Sequence, residues 1–568
     1  MSVRRVVVPV PNAEERRAPA LDPRRVLVTV LLNVAAVAFV SNELKKQGAV
    51  RTAANVINYY NPWTTNCGLL KEKEYLVTSD RVVAHDMVLP GIVHVRGEQI
   101  DEVRLLPRGT DRASTLAYYT RNFPELKVLE YGRAVVAPAP VDLHVHLNAP
   151  GRDWEGLDTG SRAAAAGGLA ALMDMPLNSY PAATTATLLR AKIKHARESP
   201  LKVDVGFWGG IVPQNAHDPG AIRALASAGA RGFKSFMSPS GMEDFDHVAP
   251  EDVRAALPTL RAMGLPYMIH AELVDRGEDV LAAEAPEVPA GSFAAHVAKR
   301  PKRFELNAIA AIIDALRATK NSITKPGFEV RIAHLASPEA LEAIAAARAE
   351  GLELSVETCP HYLLLAQETI PDGDPLYKCM PPIRDEANRR RLVEAVLDGD
   401  IDSLGSDHSP APAHLRLLRE GNVRDAWGGI AGLQYAIPAA WEALAEGAER
   451  TNGSAAALDR NERWAAKASP QDAALATFAR AAATSPAAFA RLPKRGEIAA
   501  AKDADLVVFD PDALADTSAG AREHRHKETL YDGMKLRGKV LATFVRGHQV
   551  FDAERGVAED NCGRVLVG

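Results

Sequence analysis

From Val141 to Leu492 the chain alternates short apolar runs with Ala-rich helical runs, and this alternation restricts the fold more than any other feature. VDLHVHL leads into SRAAAAGGLAAL, and ALMDMP leads into TATLLRAKIKHARE. VDVGFWGG, RGFKSFM, PYMIHAE, VRIAHLA, LSVETCP and IDSLGSD follow in the same manner. Repeated strand-then-helix units favour a parallel sheet covered by helices. Over about 350 residues the simplest closed form is a (β/α)8 TIM-type barrel, placed at 138–492. Within it, the tract from Ser454 to Leu492 reads as helical, with Ser469, Pro470 and Asp472 forming a helix start.

Runs of strand-like alternation flank this body on both sides: YLVTSDRVVA and KVLEYGRAVVAP before it, DADLVVFDP and KVLATFVRG after it. Residues 67–137 and 493–568 are therefore expected to form one small β-sandwich domain from both chain ends, with a polar loop at Asp111–Pro124. A hydrophobic fraction of 47% with 24% charged residues excludes a mainly disordered chain, a fibrous repeat and a polytopic membrane protein. Lys and Arg number 67 against 72 Asp and Glu, so no basic field exists to grip nucleic acid. Four cysteines cannot make a disulfide framework in a chain of 568 residues. Cys67 and Cys562 stand at the two ends of the expected β domain, where an oxidising compartment would allow one disulfide.

Residues 1–25 read as a mobile, mildly basic lead, followed by the apolar run VLVTVLLNVAAVAFV at 26–40. Its 15 residues fall short of the roughly 20 that a spanning helix needs, but match the apolar core of a secretory signal behind Arg24 and Arg25. The expectation is an endoplasmic reticulum or endomembrane address, cleaved or kept as an anchor with membrane association. The alternatives are a buried helix of the folded body and a cytoplasmic protein.

His144 and His146 sit two apart on a strand-like run, so both imidazoles face one side and can reach one ion. Alone, His-x-His is a weak signal. However, Lys234, His270, His334 and Asp407 also end apolar runs, which in a barrel brings five strand ends to one mouth. Four His, one Lys and one Asp suit two divalent cations, provided that the lysine is not an ammonium. An amine that has reacted with carbon dioxide is an anionic carbamate with two oxygens, and burial favours the neutral amine this needs.

Several long motifs then resemble the amidohydrolase superfamily, and within it the allantoinase family. They are VDLHVHLNAPGRDWEGLDTGSRAAAAGGLAALMDMPLNSYPAATT, GFKSFMSPSG, VETCPHYLLLAQETIPDGDPLYKCMPPIRDEANRR, DGDIDSLGSDHSP and AWGGIAGLQ. The resemblance runs from about Cys67 to Val567. It implies two divalent metals, usually zinc: His144, His146 and Asp407 on the more buried ion, His270 and His334 on the other. Carboxylated Lys234 (N6-carboxylysine) and a hydroxide would bridge them. The implied reaction is hydrolytic opening of the hydantoin ring of allantoin to allantoate, within purine breakdown. Asp407 would take the nucleophile's proton and give it to the departing ring nitrogen. The resemblance also implies a homo-oligomer, tetramer or dimer.

Dihydroorotases place an Arg two residues after the second His, where it pairs with a substrate carboxylate; here that residue is Asn148. Allantoin has no carboxylate before hydrolysis. Dihydropyrimidinase-like enzymes lack the NxPGR and MPLNS segments. Asn178, in MPLNS, is the candidate for hydrogen bonding substrate, while His361 and His408 read as structural. The chain departs from the family pattern at Ala139, Ala149 and Ala500–Ala501, and in a loop one residue short between Arg152 and Trp154. None of these removes a proposed ligand. The alternative functions are a dihydroorotase or dihydropyrimidinase-like cyclic amidase, and an inactive scaffold of the same fold.

Overall fold

The computed structural model describes residues 67–107, 112–122, 124–274, 289–451 and 468–568, all within the compact unit Cys67–Gly568. Eight strands form a continuous parallel ladder: β6 (Val141–Val145), β7 (Ala171–Asp174), β8 (Asp204–Gly210), β9 (Gly232–Phe236), β10 (Tyr267–His270), β11 (Val330–Ile332), β12 (Leu354–Thr358) and β13 (Ser403–Leu404). Nearly every residue in them is buried, as expected of strands covered on both faces. The last strand is only two residues long, and the ring closes through a single bridge between Val145 and His408. There the His146 amide donates to the His408 carbonyl at 2.8 Å. Closure thus falls between the strand that carries His144 and the one that leads into Asp407.

Several of the helices start where a side chain satisfies a free amide. Thr185 accepts from Leu188 N at the head of Ala186–Arg197, and Asp385 from Asn388 N at the head of Glu386–Asp398. Ser469 does the same for Asp472 N at Pro470–Ala479, at the helix start read from the sequence. In Leu157–Ala166 the residues Ala163–Ala166 are buried, and their small side chains let the helix approach neighbouring elements closely. Part of the expected helical tract, 454–467, lies outside the described residues.

A second sheet is built from both ends of the unit Cys67–Gly568. β1 (Glu74–Ala84), β2 (Met87–Arg96), β3 (Gln99–Leu105), β4 (Lys127–Glu130) and β5 (Val135–Pro138) come from one end. β14 (Leu506–Leu514), β15 (Arg537–Val545), β16 (His548–Asp552) and β17 (Gly556–Val557) come from the other. The seam is β14 antiparallel to β5, with Leu506 opposite Pro138. A last strand, β18 (Val565–Leu566), leaves this sheet and pairs with β8 of the barrel.

Two expectations need correction. The polar stretch near Asp111 is a helix, Arg112–Asn122, because Leu116 and Tyr119, three apart, dock on Leu76 and Ile92 of the sheet. The endomembrane address is not sustained. Among the described residues no helix is long and apolar enough to cross a membrane, and the run at 26–40, like the lead at 1–25, lies outside them. The cysteines are free thiols; Cys67 and Cys562 lie side by side, and the hydrogen bond between them pulls Cys67 down to about 5 with help from His548.

Candidate active site

His144, His146, His270, His334 and Asp407 line one cleft at the C-terminal ends of the barrel strands, with Asn178, Phe236 and Trp427. Lys234 points up from β9 and is fully buried. The ligand atoms of His144, His146 and Asp407 lie within 4.8 Å of one another, a cluster able to hold a metal ion. Both Nε2 atoms face Asp407 Oδ1 at 3.4 Å. On the other side of the cleft, His270 Nδ1 and His334 Nε2 are 3.0 Å apart. That is about the separation of two nitrogens on one ion with bonds of 2.0–2.1 Å.

Partners behind the imidazoles fix their orientation. His144 donates from Nδ1 to Glu357 Oε1 at 2.7 Å, so its Nε2 lone pair faces the cleft, with no hydrogen-bond partner of its own. His270 donates from Nε2 to Glu272 Oε2 at 2.8 Å, and Arg300 holds the same carboxylate from behind. His146 Nδ1 pairs with the Asn178 amide at 3.1 Å. Asn178 is thereby both a cleft-lining group and the support of a histidine.

The electrostatics follow from burial among like and unlike charges. Burial, aided by the Lys234 cation, lowers His144 to about 3 and keeps it neutral. Burial also lowers Lys234 to about 8, against the pull of Asp407 and Glu357. Its Nζ has no hydrogen-bond partner and lies 4.7 Å from the centre of the Phe236 ring. Burial would raise the Asp407 carboxyl, but His144, His146 and His334 outweigh it and hold the group well below the usual carboxylate range. Burial lifts Glu357 to about 7.

Buried polar atoms without partners are rare in folded proteins. Several occur around this site, among them His144 Nε2 and Lys234 Nζ. The donor set of imidazoles and a carboxylate suits divalent ions, and its bare atoms fit that use. Asn178, His334 and Asp407 all have positive φ (64°, 38° and 45°), backbone strain of the kind that clusters at functional sites. His361 is buried beside Tyr362, and His408 bonds Glu155 at 3.1 Å. Glu357 and Glu272 escaped the sequence reading. The available signal for Glu272 was a carboxylate two residues after His270 on the same run.

A closed parallel barrel with a His–His–Asp cluster at its C-terminal mouth defines a class of hydrolases that use divalent metals. Residues 135–550 match the sequence profile of the amidohydrolase family. A probable allantoinase of Oryza sativa subsp. japonica is 38% identical over 511 residues, covering 88% of this chain and 92% of that one. The allantoinase of Arabidopsis thaliana is 37% identical with the same coverage, and that of Saccharomyces cerevisiae 36% identical over 81% of this chain and 96% of its own. The L-hydantoinase (dihydropyrimidinase) of Arthrobacter aurescens superposes with a TM-score of 0.70 at 25% identity, over 88% of this chain and all of that one. The chain belongs to the amidohydrolase family and, within it, to the allantoinase group.

Proposed function

We propose that this chain hydrolyses the hydantoin ring amide of allantoin to allantoate, with the barrel 138–492 as the catalytic body and 67–137 plus 493–568 as its β domain. The observation that carries the reading is the set of bare His144 Nε2 and Lys234 Nζ beside Asp407 in a chain 36–38% identical to allantoinases of plants and yeast. His144, His146 and Asp407 hold one divalent ion, His270 and His334 a second, and zinc is the expected metal. When bound, the metal pair polarises the ring carbonyl and makes hydroxide available near neutral pH.

Lys234 contributes as a carbamate. Its neutral amine attacks the carbon of carbon dioxide and the nitrogen loses a proton, which leaves an anionic group with two oxygens. A buried amine at about 8, with no partner, supports that chemistry. Asp407 accepts the proton of the attacking water and delivers it to the ring nitrogen as the amide bond breaks. Glu357 and Glu272 keep His144 and His270 in the tautomers that present lone pairs to the cleft. Asn178 steadies His146 and faces the substrate amides.

Among the described residues that line the cleft itself, the arginine present is Arg300, set back from the rim. Arg300 is neutralised by Glu272, and Asn148 stands where dihydroorotases carry arginine. This favours a neutral ring over dihydroorotate. A homo-oligomer is part of the proposal. Stripping the protein with a chelator should abolish allantoin hydrolysis, and zinc should restore it at about two ions per chain. Full activity in metal-free protein would refute the reading.

A further inference from the structure

We propose that Arg152 binds the carboxylate of the ring-opened product at the mouth of the cleft; this rests on the proposed function. The loop that presents it is held at many points. Tyr180 N donates to Pro150 O at 2.9 Å, and a Cβ on Gly151 (φ 88°) would lie 2.1 Å from the Tyr180 carbonyl. From the other chain end, Arg525 N donates to Glu155 Oε1 at 3.0 Å and His526 Nε2 to Asp153 O at 3.0 Å. Arg152 is therefore carried on a fixed support.

Its guanidinium carbon lies 4.8 Å from the centre of the Trp154 ring and 5.7 Å from that of Tyr180. Each ring leads back to the site. Trp154 meets Trp427, a cleft-lining residue, edge-on at 4.9 Å, and Tyr180 follows two residues after Asn178, which touches His146. Arg152 thus stands at the rim between two elements that reach the reacting centre.

What separates it from Arg300 is its unspent bonding capacity. Among the described residues Arg152 has no hydrogen bond and no ion pair, and its Nε is buried without a partner. Stacking on aromatic faces orients a guanidinium while leaving its planar fork of donors free, the geometry that takes a carboxylate in bidentate fashion. In the proposed reaction the substrate is neutral, and the carboxylate appears only when the ring amide is cleaved. A cation at the rim therefore distinguishes product from substrate and draws the new anion toward solvent.

The test compares the full chain with Arg152→Gln and Arg152→Lys in initial-rate assays with allantoin and added allantoate. The predicted result is that the ratio of the allantoate inhibition constant to the KM for allantoin rises about tenfold in Arg152→Gln, less in Arg152→Lys. An unchanged ratio, whether both constants stay put or rise together, would overturn the assignment and leave Arg152 as a support of the loop. Absence of allantoin turnover in the unmodified protein would count against the proposed function instead. Calorimetric titration of the same three proteins with allantoate would still decide the matter of Arg152.

Discussion

Lys234 is buried, lowered to about 8 and without a hydrogen-bond partner, so burial works against its ammonium form despite the pull of Asp407 and Glu357. If it acts as a carbamate, Lys234→Ala should lose activity by about a hundredfold or more, and added short carboxylic acids should restore part of it. Unchanged turnover in that variant would end the bridging role. Glu357→Gln should weaken metal binding or activity by about 10–100-fold, measured by metal titration, because the amide no longer fixes the His144 tautomer as a carboxylate does. The histidines, Lys234 and Asp407 were legible because each interrupts an apolar run at its end. Glu357 was not, since its partner His144 lies 213 residues away and only barrel closure brings them together. His296 gives a separate, pH-linked prediction. Burial, then the Lys378 charge, lowers it to about 3, and its Nε2 meets the Cys379 carbonyl at 3.0 Å. The unfolded chain takes up this proton below about 6.5 while the folded chain stays neutral, so stability present above that pH is lost as pH falls toward 3. His296→Gln should flatten the fall in denaturant midpoint between about pH 7 and pH 5; an equal slope would contradict it.

At the scale of elements, the strand–helix alternation was readable because buried parallel strands are apolar throughout and the helices between them are rich in Ala. The helix Arg112–Asn122 was not, because among its described side chains Leu116 and Tyr119 mark its buried side and the sequence around them is largely polar. Long-range pairing was likewise hidden. In β18, Val565 lies opposite Val205 of β8, and nothing in either short run names the other. This tail is held further by Arg231 Nη1, which donates to Val567 O at 2.9 Å, and by Gly563, where a Cβ would come 2.1 Å from Val203 O. Removing residues 563–568 should therefore lower stability by about 1–3 kcal/mol in a denaturant titration. No loss would mean that β8 is complete without its extra partner.

At the scale of the described body, segments 74–138 and 506–557 meet in one sheet at the β5–β14 seam, and the segment around Arg525 reaches the loop beside the cleft. The second sheet and the site are thus tied together within one unit. The chain's formal charge of −5 suits a neutral small substrate held by metals and hydrogen bonds, rather than an extended anion steered by a basic field. The choice of ring remains the central claim. It is tested most directly by incubating metal-loaded protein in parallel with allantoin, dihydroorotate and dihydrouracil, with metal counted in the same sample. The account predicts allantoate from allantoin, with little or no turnover of the other two rings. Hydrolysis of dihydroorotate or dihydrouracil alone, or of none of the three by protein carrying its metals, would contradict it.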